Sequence, residues 1–233
     1  MQSALKSPIK IPETFEELVS NLNTIVGQNL YSLAKSINMP LPISTTQGKG
    51  FTGELLEALL GASAQNLPIP DFPNLGLELK SLPVDNDLVP LESTFVCHAP
   101  LTNIRKLTFE NSAFFSKIKR VLFVVINAQR DQDFKDRKVL GYFFYTPSED
   151  DLATLKSDYK ELYELVKTGN IDKVNARIGH IIQMRPKGAN GKALTQCIGP
   201  DGSIIMTRPR GFYIRRSFTT ELVRRYLLHN SVK

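Results

Sequence analysis

The stretch LPIPDFPNLGLELKSLPV, residues 67–84, decides how this chain is read. It holds Pro70-Asp71 and, after six intervening residues, Glu78-Leu79-Lys80. From residue 75 to 82 apolar side chains alternate with polar or small ones in the manner of a half-buried strand. Leu77 and Leu79 are therefore expected on one face, with Glu78 and Lys80 projecting together on the other. Asp71 lies just upstream among Pro68, Pro70 and Pro73, where a tight turn can fold its carboxylate back towards Glu78. Two carboxylates held close repel unless a cation lies between them, and oxygen ligands with water positions to spare suit magnesium. Lys80 would then orient the attacking water or offset charge growing on a phosphoryl group. Taken alone, Asp in a Pro-rich turn and Glu-x-Lys on a strand are also ordinary surface features.

Working outward, residues 53–61 read as a helix capped by Thr52, with Leu55, Leu56, Leu59 and Leu60 on its buried face. Glu57 lies nearer that face than Glu54 and is the better third carboxylate; Lys49, just ahead, is placed to meet a phosphate. Gly48, Gly50 and Gly53 resemble a phosphate loop but lack the Walker spacing, so no nucleotide site is expected. Strands are expected at 93–99, at 121–128 as a buried central strand, and at 139–145. An N-terminal helix should start at Thr14 with a Thr14–Glu17 capping box, and a short helix follows at 30–37. A long packing helix opens at Ser148 and Asp151, runs to about 167 and is closed by Gly169. Ser217 or Thr219 caps a last helix reaching Leu228.

Composition bounds the function. With 233 residues and 42% hydrophobic content, the chain can bury a real core. No run approaches a membrane span, and the opening MQSALKSPIKIPET lacks the apolar centre of a signal peptide, so a cytoplasmic location is expected. Cys97 and Cys197 are too few for a disulfide framework or zinc ribbon and read as plain buried thiols. The net charge is +6, yet residues 176–233 carry eleven Lys or Arg against two acids, +9, which leaves −3 for the remainder. A basic C-terminal third suits a polyanion partner. There Arg and Lys interleave with Phe212, Tyr213 and Phe218, as on a nucleic-acid surface where basic groups hold phosphates and a few reach base edges.

These residues carry a family resemblance. GELLEALLGASA, DFPNLGLELKSLPV, PLESTFVCHAPL, KIKRVLF, MRPKGANGKALT and RPRGFYIRRSFT occur in this order across nearly the whole chain. Together they resemble the MutH family of strand-nicking mismatch-repair endonucleases, within the restriction-endonuclease-like PD-(D/E)xK group. The resemblance implies an α/β fold with a restriction-endonuclease-like mixed β-sheet flanked by helices, in two lobes forming a DNA-binding cleft. The expected organisation is a flexible segment 1–11 and a single nuclease domain 12–229, with catalytic residues at 49–80 and the basic DNA-recognition region at about 176–229.

By the same resemblance Asp71 and Glu78 match metal-binding acids, Lys80 the catalytic lysine, and Glu57 an additional acid near a Mg²⁺ site. Lys49 and Lys117 match lysines associated with the DNA backbone or catalysis. Arg185, Pro186 and Tyr213 match positions that recognise GATC and sense adenine methylation, and Lys187 adjoins them. The implied activity is nicking of the unmethylated strand at hemimethylated GATC in double-stranded DNA, by a monomer activated by a MutL-type partner and indirectly by MutS. The chain departs from the family pattern at Gly48-Lys49-Gly50-Phe51 and at Ser112 to Lys117, both among expected DNA contacts. A GATC-specific type II restriction endonuclease and a non-catalytic DNA-binding module are the alternatives.

Overall fold

Apolar β-branched runs and helix caps set the elements. In the computed structural model, residues 10–42, 50–64, 67–129, 132–188 and 190–228 are described. The elements are α1 (Phe15–Ile25), α2 (Leu30–Ser36), α3 (Phe51–Leu60), β1 (Glu78–Val84), β2 (Thr94–Ala99), α4 (Ala113–Ile118), β3 (Val121–Asn127) and β4 (Val139–Tyr145). They continue as α5 (Glu149–Lys167), β5 (Ile182–Pro186), β6 (Thr195–Ile198), β7 (Ile204–Thr207), β8 (Arg210–Ile214) and α6 (Arg216–Val223), followed by a π-helical turn, Arg224–Leu228. No helix among the described residues is long and apolar enough to cross a membrane.

The chain divides into two compact units. The first comprises Met1–Leu91, Arg120–Tyr145 and Val223–Lys233; the second comprises Glu92–Lys119 and Thr146–Leu222. In the first unit β1 runs parallel to β3, and β4 pairs antiparallel on the other side of β3. This sheet is mixed, as expected. Residues 121–126 of β3 are all buried, which a central strand covered on both faces requires. α1, α2 and α3 contribute Leu18, Leu22, Leu33, Leu55, Leu56 and other apolar residues to one core cluster with Leu77, Leu79, Leu122 and Val124. On β4, Phe143 stacks with Phe123 at 5.1 Å and with Tyr226 of the π-helical turn at 5.4 Å.

In the second unit β8 lies between β2 and β5, antiparallel to both, while β6 and β7 form a separate hairpin around the Pro200-Asp201-Gly202 turn. Phe114, Tyr159, Tyr163 and Phe212 pack ring on ring beneath this sheet. The strand material thus falls into three small sheets rather than one.

Several local expectations need correction. β1 mixes buried with part-buried residues, none of them exposed, and Glu78, at 1% exposure, stands in the interior rather than on the solvated face of the alternative reading. α3 starts at Phe51, two residues early, because Gly50 at φ +90° feeds the chain into the helix without a side-chain cap; Thr52 lies inside it. The Thr14 hydroxyl accepts the Glu17 N–H, but Glu17 returns its carboxylate to the Glu13 N–H, leaving half a capping box. Ser217 and Thr219 lie within α6, where the Thr219 and Thr220 hydroxyls donate back to the Arg216 carbonyl and cap nothing. Cys197 is buried as expected, whereas Cys97 is only partly so. Segment 1–11, apart from Lys10 and Ile11, lies outside the described residues, as does Lys49.

Candidate active site and candidate DNA-recognition strands

The proline-broken approach to β1 brings the acids together. Pro73–Leu75 forms one 3-10 turn, and Phe72 and Leu77 exchange backbone hydrogen bonds across it at 2.9 and 3.2 Å. The turn folds Asp71 back alongside β1, where its Oδ2 accepts the Leu79 N–H at 2.8 Å. Asp71 is 8% exposed, so both acids of the motif are buried. One residue beyond Leu79, the Lys80 ammonium donates to Glu78 Oε1 at 2.6 Å. Register with β3 pairs Glu78 with Val121 and Lys80 with Phe123, which anchors the pair to the most buried strand.

Glu57 on α3 faces the same group. Its carboxyl is held above the ordinary carboxylate range, first by burial and then by the Asp71 charge, with smaller contributions from Glu54 and Glu78; Lys80 acts in the opposite direction. The choice of Glu57 over Glu54 agrees with the half-burial of the first and the exposure of the second. A raised folded-state value means that this site favours the fold below the unfolded carboxyl range and loses that contribution as pH rises through the folded value. Glu57→Gln is therefore expected to raise the melting temperature of metal-free protein at pH 7 and to leave it nearly unchanged near pH 4. Circular dichroism melts at both pH values check this.

These donors suit a hard divalent cation. Carboxylates held close together gain from a positive charge between them, and oxygen donors match Mg²⁺. Among the described residues no three acidic, His or Cys side chains are yet drawn into a complete ligand set; Lys80 stands against Glu78 instead.

The DNA-recognition candidates lie in the second unit. Arg185 and Pro186 end β5 and are exposed, as is Lys187. Tyr213 lies on β8, and the Arg185 guanidinium sits 5.3 Å from its ring centre. Phe95 on β2 meets Tyr213 edge-on at 5.4 Å, and the Lys187 ammonium lies 4.9 Å from the Phe95 ring centre. This is a ladder of cation, ring, ring, cation. A side chain on Gly211 would place a Cβ 2.7 Å from the Phe95 ring, so glycine there lets the ladder close. Burial pushes the Tyr213 phenol up, against the pull of Arg185. Lys117 lies in the last turn of α4, also in the second unit.

Not every basic or aromatic residue of this region faces outward. Phe212 and Phe218 are core residues, 1% and 7% exposed, which overturns their reading as nucleic-acid contacts. Arg210 is 9% exposed, and Arg215 uses its guanidinium to hold the Ile178 carbonyl at 2.8 Å. Phe95 and Gly211 were missed in sequence. Their only signals are strand alternation in TFVCHA and a glycine inside RPRGFYI, which show their value only once β2 and β8 are paired.

An α/β protein with two buried acids, a paired lysine and a separate basic-aromatic strand surface has the build of an enzyme acting on a polyanion. A family model described as DNA mismatch repair enzyme MutH matches residues 60–158, which include Asp71, Glu78 and Lys80. DNA mismatch repair protein MutH of Shewanella sp. (strain MR-7) is 41% identical over 216 residues, covering 93% of this chain and 97% of the relative. That of Shewanella woodyi is 42% identical over 214 residues, 92% and 93% of the two chains, and that of Klebsiella pneumoniae (strain 342) is 41% identical over 224 residues, 96% of each. The chain belongs to the MutH family of DNA mismatch repair enzymes.

Proposed function

We propose that this protein is a sequence-specific endonuclease with a restriction-endonuclease-like catalytic core. It nicks the unmethylated strand of hemimethylated GATC sites by Mg²⁺-dependent phosphodiester hydrolysis, as a cytoplasmic monomer activated by a MutL-type partner downstream of MutS. The observation that supports it most is the convergence of Asp71, Glu78 and Lys80 on β1 and its preceding turn, with Glu57 facing them. Asp71, Glu78 and Glu57 would hold the metal, which when bound polarises the scissile phosphate and lowers the pKa of coordinated water. Lys80 orients the attacking water and offsets charge on the phosphoryl oxygens. Asp71 is fixed by the Leu79 N–H, so its remaining oxygen has a defined direction. Arg185, Pro186 and Tyr213 read the site in the major groove, while Lys187, Lys117 and Lys49 take phosphates.

The test is nicking of supercoiled plasmids carrying unmethylated, hemimethylated or fully methylated GATC, with Mg²⁺, with and without a MutL protein. Nicks confined to unmethylated strands and stimulated by MutL are expected. Rapid double-strand cutting without MutL would replace this reading with a restriction enzyme. Binding without cleavage under every condition would replace it with a DNA-binding module.

A further inference from the structure

Asp158 sits in the middle of α5, in a sequence that reads as a packing helix with a solvated face, yet it is 2% exposed. Its carboxylate points into the turn 178–182. Oδ1 and Oδ2 each accept the His180 N–H at 2.9 Å, and Oδ2 also accepts the Ile181 N–H at 2.7 Å and the Ile182 N–H at 3.0 Å. Three successive amides thus converge on one side chain. The turn is shaped for this: Gly179 has φ +87°, and a Cβ there would meet the Ile182 carbonyl at 2.2 Å and the Asp158 carboxyl at 3.2 Å. From the other side Arg215 grips the same turn, its guanidinium donating to the Ile178 carbonyl and its backbone N–H to the Ile181 carbonyl, both at 2.8 Å. Asp158 therefore holds N–H groups of the turn and Arg215 holds its carbonyls.

This turn is the root of the recognition strands. Ile182, whose N–H Asp158 takes, is the first residue of β5, and Arg215 directly follows β8. β5 has five residues, each paired with β8, from Ile182 opposite Ile214 to Arg185 opposite Gly211 and Pro186 opposite Arg210. So short a ladder is weakly specified by its own pairing, and a slip of one residue would carry Arg185 to the opposite face, away from Tyr213. Apolar contacts are non-directional and tolerate small shifts of register, whereas three amides aimed at one buried carboxylate do not. A buried carboxylate costs desolvation and is kept where directed donors replace water. Arg185 lies three residues along the strand, about 10 Å from the grip.

We propose that Asp158 and Arg215 form a clamp that sets the position of the base-reading strands, making them positioning residues for sequence specificity. The inference rests on the reading of Arg185, Pro186 and Tyr213 as the GATC-recognising group.

The test uses Asp158→Asn and Arg215→Lys in the full chain. Affinity for a duplex with one hemimethylated GATC and for its scrambled counterpart is measured without divalent metal over a series of salt concentrations. Asp158→Asn should lower the ratio of GATC to scrambled affinity about tenfold, the worth of one misplaced base contact. The salt slope should stay that of wild type, because the phosphate contacts remain. Arg215→Lys keeps the charge, loses the reach to the Ile178 carbonyl and should move the ratio in the same direction; it decides the matter if Asp158→Asn does not fold. A variant that melts earlier but keeps the wild-type ratio has lost only a structural anchor, and the proposal is overturned. Peptide-resolved hydrogen exchange provides an independent readout. Faster exchange in β5 and β8, with β1, β3 and β4 unchanged, is expected; unchanged exchange in β5 and β8 overturns the clamp. A wild-type protein with no preference for GATC would remove the functional reading, and the exchange result would still judge the clamp.

Discussion

Glu78→Ala is expected to lower nicking by about 10³-fold while duplex binding is retained. The reasoning starts from burial. At 1% exposure, Glu78 was withdrawn from water despite the cost of desolvating a carboxylate, and Lys80 meets it at 2.6 Å. In the proposed chemistry it is both a ligand of the metal and the group that holds Lys80 beside the scissile phosphate, so one substitution removes two functions. Residues of the second unit, which carry the proposed base contacts, are untouched. Nicking assays paired with binding isotherms on the same GATC duplex check the split. A variant that nicks within tenfold of wild type would remove Glu78 from the catalytic group.

Lys80→Met should fail in two ways at once. Activity is expected to fall by 10² to 10³, roughly the value of one preorganised donor facing transition-state charge. Stability should fall as well, by about 3–5 kcal/mol, because a buried carboxylate loses its cationic neighbour. Met matches the volume of the lysine stem, so the loss reflects charge rather than a cavity. The chain has no Trp, so far-ultraviolet circular dichroism is the natural probe of unfolding. Saturating Mg²⁺ should restore part of the lost stability, since a bound cation takes over the role of counter-charge. Stability equal to wild type in metal-free buffer would show that the Lys80–Glu78 contact contributes little to the fold.

The local placement of the candidate acid–lysine group is legible in the sequence, and for a physical reason. Asp71, Glu78 and Lys80 are joined by one turn and one strand, so period-two alternation and proline chemistry suffice to place them. That Glu57 lies nearer the buried face than Glu54 follows from helical periodicity alone. β4 was read to the residue and α1 to the correct stripe, because both bury one clear apolar pattern. The candidate recognition strands were less legible. Whether Phe212 or Tyr213 faces outward depends on which side of β8 packs on Phe114 and Tyr159, a long-range contact that local pattern does not encode. Asp158 lies on the apolar stripe of EDDLATLKSDYKELYELVK, three residues after Leu155 and four before Leu162, but what its carboxylate holds there is set only by the turn twenty residues later. The depth of Glu78 lies beyond the pattern, because alternation shows which residues share a face and not what covers that face.

The interleaving of the two units along the chain has a consequence for biogenesis. Both segments of the second unit are flanked by segments of the first, and the parallel pairing of β1 with β3 spans residues that belong largely to the second unit. On the ribosome, β1 must wait for some forty residues before its partner emerges. Tyr226, whose ring covers Phe143 on β4, arrives only after all of the second unit has been made. β1 of the first unit is thus made before either segment of the second, and a nascent chain carries all of the second unit before Tyr226 can reach Phe143.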